Sequence, residues 1–369
     1  MSSFSVAEQV SRVFDAAGYR RIEPEILQPA DIFLDLSGEE IRHRLLLTSD
    51  SEGREWALRP EFTIPVARTY LASGVNSTPV GFSYCGPVFR VRPGEADEFQ
   101  QAGIESFGRT DAEAADAEIL SRAHEALLAA GEEQFEIRLG DLGLFTALLD
   151  ALGLQPVWQR RLRRAFAKGA LDAATLDALT DHEIEPRAHA GLLTALQGQD
   201  PRAARGFVED LLKIAGISTV GGRSAGEIAE RFLNQASREE AGALPDDARA
   251  LLHRYVAIEG DPDSASQRLR VLCDDAGLNL NAALDAFDTR AGFYAACGLP
   301  VHDILFSARF GRNLDYYTGA VFEIRRKADS RVLVGGGRYD RLLHLLGASD
   351  MIPAVGCAVF LDRIKGGRS

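Results

Sequence analysis

The sequence predicts an α+β protein: a mainly antiparallel sheet flanked by helices and interrupted by a helical insertion. Three observations carry that expectation. Towards both ends of the chain, short aromatic and β-branched runs alternate with turn residues, the texture of strands joined by hairpins. Segments with apolar residues at helical spacing border those runs. Between about residues 155 and 299 the texture changes to alanine and leucine at helical period with few β-branched clusters. A core built from 1–154 and 300–369, with 155–299 as the insertion, follows from that contrast.

Each element has its own signal. Val6, Val10, Val13, Phe14 and Ala17 recur on one helical face and Gly18 stops the helix. Residues 19–70 mix short apolar runs with turn residues and receive no firm element. Strands are expected at Gly81–Val91, where Phe82, Tyr84, Val88 and Phe89 supply β-rich chemistry, and at Gly103–Phe107. Ala112–Ala130 reads as a helix ended by Gly131, Phe135–Leu139 as a strand, and Leu142–Leu152 as a further helix. The insertion should hold several short helices, with breaks at Gln197–Pro201, Gly216–Gly226 and Glu259–Ser266. Its basic cluster, Gln159 to Lys168, reads as a solvated helix face, and Gly221-Gly222-Arg223-Ser224 is too weak a signal for a phosphate loop. Near the end, Ala320–Arg326 and Arg331–Val334 flank the polar Lys327-Ala328-Asp329-Ser330, a hairpin pattern. Strand Ala354–Val359 and a short helix close the pattern.

Composition excludes several classes. A chain of 369 residues, 46% hydrophobic, can bury one large core or two moderate ones. Its net charge of −13 opposes sequence-independent nucleic-acid binding, which needs a basic surface. Cys85, Cys273, Cys297 and Cys357 lack metal or redox spacing and read as buried thiols of a reducing compartment. The seven histidines are scattered without ligand spacing. No basic leader and no run long enough to span a bilayer is seen, so a soluble cytoplasmic protein is expected.

The most informative residues are Arg312-Asn313-Leu314-Asp315-Tyr316-Tyr317-Thr318-Gly319 and Gly336-Gly337-Arg338-Tyr339-Asp340, which the hairpin would bring together. A guanidinium can hold a carboxylate through two parallel hydrogen bonds, and tyrosines offer flat walls with polar tips. Glycines let backbone approach closely. Alone, these features also describe strand packing and a tight turn. Upstream, Leu58-Arg59-Pro60-Glu61-Phe62-Thr63 and the stretch from Phe89-Arg90 to Gln100-Gln101-Ala102-Gly103-Ile104-Glu105 add carboxylates, an amide and a second arginine.

Taken together, these four segments resemble the catalytic core of histidyl-tRNA synthetases, a class II synthetase-like fold. Phe89-Arg90 looks like the end of the first strand of class II motif 2, and Pro353-Ala354-Val355-Gly356 through Leu361-Asp362-Arg363 looks like motif 3. The chain departs from a synthetase in several places. Arg92 stands where motif 2 has a glutamate that helps hold adenine and the acceptor end. Asp97 and Glu98 replace a basic residue, and Phe62 fills the place of a glycine. The sequence ends at Ser369, soon after motif 3, so no C-terminal anticodon-binding domain is expected. The combination is similar to the ATP phosphoribosyltransferase regulatory subunit family, a synthetase paralogue.

That resemblance implies a regulatory subunit without turnover of its own, within a glycosyltransferase-class complex of histidine biosynthesis. It would bind L-histidine, be needed by the short-form ATP phosphoribosyltransferase catalytic subunit, and pass on feedback inhibition. A self-dimer within a hetero-octamer, no cofactor, no metal, no tRNA and no membrane are also implied. Class II cores dimerise around motif 1, here poorly matched by Ile22–Asp35. By resemblance, Glu61, Thr63 and Gln101 would hold the histidine ammonium, Arg312 its carboxylate, and Glu105, Tyr317 and Tyr339 its imidazole, with Arg90 and Tyr316 nearby. Arg90 and Arg363 match synthetase arginines that clamp ATP phosphates. The alternative is an enzyme making histidyl-adenylate in the same pocket.

Overall fold

Helix α1, Val6–Ala16, opens the computed structural model, which describes residues 5–36, 39–74, 79–167, 171–180, 219–220, 223–224, 244–312, 314, 316–364. Ser5 and Glu8 form a reciprocal capping box at its start, and Gly18 takes φ +85° just beyond its end. The chain then gives strands β1 (Arg20–Arg21) and β2 (Leu27–Pro29), helices α2 (Ala30–Leu36) and α3 (Glu39–Arg42), strands β3 (Leu47–Ser49) and β4 (Glu55–Leu58), and helix α4 (Thr63–Ala72). Sequence reading assigned no element to this stretch. Helix α4 hides because Ile64, Pro65, Val66, Ala67 and Tyr70 are all buried, which erases a one-sided apolar stripe. Pro65 sits in the first turn, where a missing N–H costs no helical hydrogen bond.

Strands β5 (Val80–Phe89), β6 (Glu98–Phe107), β7 (Phe135–Asp141), β10 (Glu259–Gly260), β11 (Ile304–Ser307), β12 (Ala320–Arg326), β13 (Val332–Arg338) and β14 (Ala354–Phe360) join β1 in a nine-stranded sheet. Its order is β1-β5-β6-β14-β13-β12-β7-β11-β10. The pairs β1/β5 and β11/β7 run parallel and the others antiparallel. The sheet is therefore mixed, with antiparallel pairing dominant, and the α+β expectation holds with that refinement. The expected hairpin is β12/β13, and Ser330 at its turn takes φ +56°. Strands β2, β4 and β3 form a separate small sheet. A third, two-stranded sheet pairs β8 (Thr219–Val220) antiparallel with β9 (Arg223–Ser224); Gly221 and Gly222 of the weak phosphate-loop signal lie outside the described residues.

Two apolar clusters lie on opposite faces of the large sheet. Along β6, Ala102 and Ile104 face the cluster that includes Val10, Phe14 and much of helices α5 (Ala112–Ala129) and α6 (Leu142–Ala151). Phe99 and Phe107 face the other, with Tyr70, Phe82, Tyr84, Tyr316, Tyr317 and Tyr339. Strand alternation puts Gln101, Gly103 and Glu105 on this second face. The aromatic face is where the site is built.

Of the expected insertion, helices α7 (Pro156–Ala167) and α8 (Ala173–Thr180) are described, while the breaks at Gln197–Pro201 and Gly216–Gly226 fall wholly or mostly outside the described residues. Helix α7 buries Trp158, Leu162 and Phe166 while Arg163 pairs outward with Asp150, as a solvated basic face would. Helices α9 (Asp246–Val256), α10 (Pro262–Ala276) and α11 (Asn281–Ala296) share the first apolar cluster with α1 and α5. The expected break at Glu259–Ser266 is the edge strand β10 followed by the start of α10, capped by Asp261 with Pro262 in its first turn. Helix α11 is also riveted electrostatically. Arg290 donates to Asp116 Oδ2 at 2.8 Å and Asp141 Oδ2 at 2.7 Å, while Arg338 reaches Asp116 Oδ1 at 2.7 Å.

The cysteines are all free, but the expectation of four buried thiols needs correcting. Cys273 and Cys357 are buried, Cys85 is half-buried, and Cys297 is exposed just past the end of α11. Among the described residues no helix is long and apolar enough to cross a membrane. Asp261, Asp263 and His302 bring ligand atoms within 4.8 Å of one another, yet both Asp261 oxygens already accept from Ser264 as a helix cap.

Candidate functional site

Glu105 is the centre of the aromatic face. Its side chain is wholly buried, and its partners are hydroxyls: Thr63 Oγ1 donates to Oε1 at 2.7 Å, Tyr84 OH lies 3.4 Å from Oε1, and Tyr339 OH donates to Oε2. Among the described residues no guanidinium or ammonium is in salt-bridge reach of it. Burial, with Glu61 nearby, therefore pushes its carboxyl up to about 8, against the pull of the three hydroxyls. The sheet makes room for this group with glycine. A Cβ on Gly356, its neighbour on β14, would come 1.6 Å from Glu105 Oε2.

Glu61 stands beside it at the start of α4. Its oxygens accept from the Thr63 amide at 2.6 Å and the Ile64 amide at 2.9 Å, so it caps the start of the helix. Burial raises its pKa even so. Gln101, two residues before Gly103 on the same face, is only 2% exposed, and its Oε1 has no hydrogen-bond partner. A buried acceptor without a donor is costly unless a bound group supplies one.

The tyrosines close over these acceptors. Tyr316 and Tyr339 meet edge to face at 5.6 Å, Tyr316 and Tyr317 at 5.0 Å, and Tyr317 and Tyr339 at 6.5 Å. Arg312 lies 5.9 Å from the Tyr317 ring centroid; its Nη1 donates to the Phe322 carbonyl at 3.2 Å and its Nε is 3.6 Å from Glu323 Oε1. Gly335 is bare because a Cβ there would strike that guanidinium. Asn313 and Asp315 lie outside the described residues.

Arg90 is set apart from the carboxylate at the centre, in a group of cations. Burial first, then Arg363, Arg92 and Arg44, bring it down to about 10, while Glu61 pulls the other way. Its guanidinium sits 4.9 Å from the Phe99 ring centroid. Arg92 covers the same ring at 3.7 Å, and is tied to Glu95 at 2.9 Å and Asp362 at 3.4 Å. Thus all nine expected residues reach one sheet face, with Arg90 on its cationic side.

Two residues of this site were not expected from sequence. Tyr84 stacks on Phe62 at 4.3 Å, and Phe62 in turn lies under the Arg59 guanidinium at 4.0 Å. The register that puts Tyr84 opposite Gly103 is the signal that could have found it, because a Cβ on Gly103 would collide with the phenol. Glu323, the acidic neighbour of Arg312, also pairs with Arg325 at 2.6 Å.

A family model described as Histidyl-tRNA synthetase matches residues 3–215 and 203–364. ATP phosphoribosyltransferase regulatory subunits from Mesorhizobium japonicum and Agrobacterium fabrum are both 41% identical to this chain. The first match covers 98% of this chain and 96% of the relative, the second 97% and 96%. The chain belongs to the ATP phosphoribosyltransferase regulatory subunit family. Among solved structures, an ATP phosphoribosyltransferase regulatory subunit/histidyl-tRNA synthetase from Bacillus halodurans aligns with a TM-score of 0.68 at 20% identity, covering 99% of this chain and 78% of its own. A histidine–tRNA ligase subunit from Alicyclobacillus acidocaldarius aligns at 0.58 and 27% identity over 98% and 91%. The class II synthetase-like fold is that of the large sheet described above. Two of the residues at which the sequence departs from the synthetase pattern gain a physical form: Arg92 roofs Phe99, and Phe62 fills the space between Arg59 and Tyr84.

Proposed function

We propose that this chain is the regulatory subunit of an ATP phosphoribosyltransferase, without turnover of its own, and that it binds free L-histidine on the aromatic face. One observation carries the reading: a fully buried carboxyl group, Glu105, and a buried orphan acceptor, Gln101 Oε1, share a face with no cation among the described residues bonded to either. Such a pocket calls for a ligand rich in N–H donors. Histidine brings an ammonium for Gln101 and Glu61, an imidazole for Glu105 and Tyr339, and a carboxylate for Arg312. Thr63 and Tyr317 orient their neighbours, and Tyr316 walls the space.

The curated relatives' names support a catalytic partner chain; in our reading it is the short-form ATP phosphoribosyltransferase, whose activity depends on this subunit and falls when histidine binds. A self-dimer inside a hetero-octamer belongs to the same proposal, as does the division into core and helical insertion. Arg92 speaks for regulation over adenylation, because its guanidinium occupies the face of Phe99 next to Arg90. Calorimetric titration with L-histidine, followed by reconstitution with a short catalytic chain, tests the reading. Binding, together with activation of that chain and its inhibition by histidine, is expected; a chain that neither binds histidine nor activates the partner ends it.

A further inference from the structure

The hydroxyl shell of Glu105 holds a feature that the histidine reading leaves unused. The Tyr84 hydroxyl lies between two acceptors, the Cys357 carbonyl at 3.2 Å and Glu105 Oε1 at 3.4 Å, and has one proton to give. Its ring cannot swing away, because Phe62 stacks on it and Arg59, bonded to the Pro24 and Pro87 carbonyls, backs Phe62. Around Glu105 the other titratable neighbours are Glu61, Tyr316, Tyr317, Tyr339 and Cys357, with Arg312 beyond Tyr317. Burial raises the pKa of both carboxyls and of the four phenols and the thiol. Burial thus keeps the phenols and the thiol around Glu105 neutral and favours a protonated Glu105.

We propose that Glu105 and the ligand's imidazole share a single proton, so that the pocket holds its ligand as a carboxylate–imidazolium pair, with Tyr84 positioned to donate to the carboxylate once it is ionised. The inference rests on the histidine-binding reading. On binding, the O–H bond of Glu105 breaks, an N–H bond forms on the imidazole, and the Tyr84 hydroxyl turns from the Cys357 carbonyl to Glu105 Oε1. No proton comes from or goes to solvent while the free ring is neutral and the carboxyl protonated. Because a free imidazole ionises near about 6.5 and Glu105 near about 8, that window lies between the two. Above it the complex must take up a proton, and below it one must be released. Affinity falls on both sides, by up to about tenfold per pH unit.

The test is calorimetric titration of the full chain with L-histidine from pH 5.5 to 8.8, in paired buffers of different ionisation enthalpy. Expected are no buffer-dependent heat inside the window, uptake approaching one proton above it and release below it. Glu105→Gln, which has no proton to give, should lose the alkaline limb set by the Glu105 carboxyl and keep only the falls set by the ligand's own imidazole and amino groups. Tyr84→Phe removes a donor that favours the ionised carboxyl, so its alkaline limb should move to higher pH, a change that mere loosening of the fold would not produce. Histidine binding with the same affinity and no proton exchange across the range would overturn the shared proton while leaving the histidine site standing. Absence of binding at every pH would remove both, and an unmoved limb in Tyr84→Phe would remove Tyr84 from the proposal.

Discussion

Among the described residues Glu105 meets only hydroxyls, and Arg312 shares Glu323 with Arg325, so neither has a close, unshared ion-pair partner in the pocket. Removing either would leave a ligand charge buried without a partner, so Glu105→Ala and Arg312→Ala are each expected to weaken histidine binding by about tenfold or more, measured by titration. Stability offers an independent reading of Glu105. Its carboxyl holds a proton up to about 8 in the folded chain against 4.5 ordinarily, so the folded state binds more protons between those values and loses stability as pH rises through them. Compared with Glu105→Gln, the empty wild type should lose roughly 1.4 kcal/mol per pH unit across the middle of that window in denaturant titrations. A constant difference between the two proteins would show that Glu105 is already ionised. The residue types of the pocket were legible in the sequence, because carboxylate, amide, guanidinium and phenols stand in quotable runs. Tyr84 was not, since its place depends on which residue of β6 lies opposite it. Nor could sequence reveal that glycines 335 and 356 serve the protein's own Arg312 and Glu105 as much as a ligand.

At the scale of elements, strands with alternation and helices with a single apolar stripe were readable, and α1, α5, β7, α6 and the β12/β13 hairpin fall where their patterns put them. Where burial surrounds an element the pattern vanishes: α4 is apolar nearly all round, and the tertiary contacts that make it a helix are absent from its own sequence. The attachment of α11 was equally hidden. Arg290 lies 174 residues from Asp116, and only folding brings the two together with Arg338 and Asp141. Such a pairing is predicted to be costly to break from one side. Arg290→Ala strips Asp116 of one guanidinium and Asp141 of the only one it has among the described residues, in a buried setting, and should destabilise the fold by about 3–5 kcal/mol in chemical denaturation. Replacing Arg325, which is more exposed and whose partner Glu323 keeps Arg312 nearby, should cost about 1 kcal/mol or less. Similar losses for the two variants would mean that the buried network contributes no more than a surface pair.

For the whole molecule, the question is whether a synthetase fold with this pocket still activates histidine. Adenylation needs a triphosphate beside the amino acid, with its charge spread over cations that are free to meet it. Arg90 and Arg363 remain, and each keeps a buried Nε with no partner, so the charge has not been lost. What has changed is the surface between them: Arg92 lies over Phe99, fixed by Glu95, Asp362 and the Ala96 carbonyl, and Phe360 stacks against Phe99 at 6.2 Å. A planar base approaching Phe99 on the face that Arg92 covers would have to displace a guanidinium that has three anchors. The chain's acidity works in the same direction, since a net charge of −13 repels both triphosphate and RNA at long range. The full chain, supplied with ATP, magnesium, L-histidine and labelled pyrophosphate, is accordingly expected to show no exchange of label into ATP above a protein-free control, under conditions where titration still detects histidine. Exchange that depends on histidine and disappears in Arg90→Ala would mean that the chain has kept the synthetase reaction, and that Arg92 moves aside during turnover.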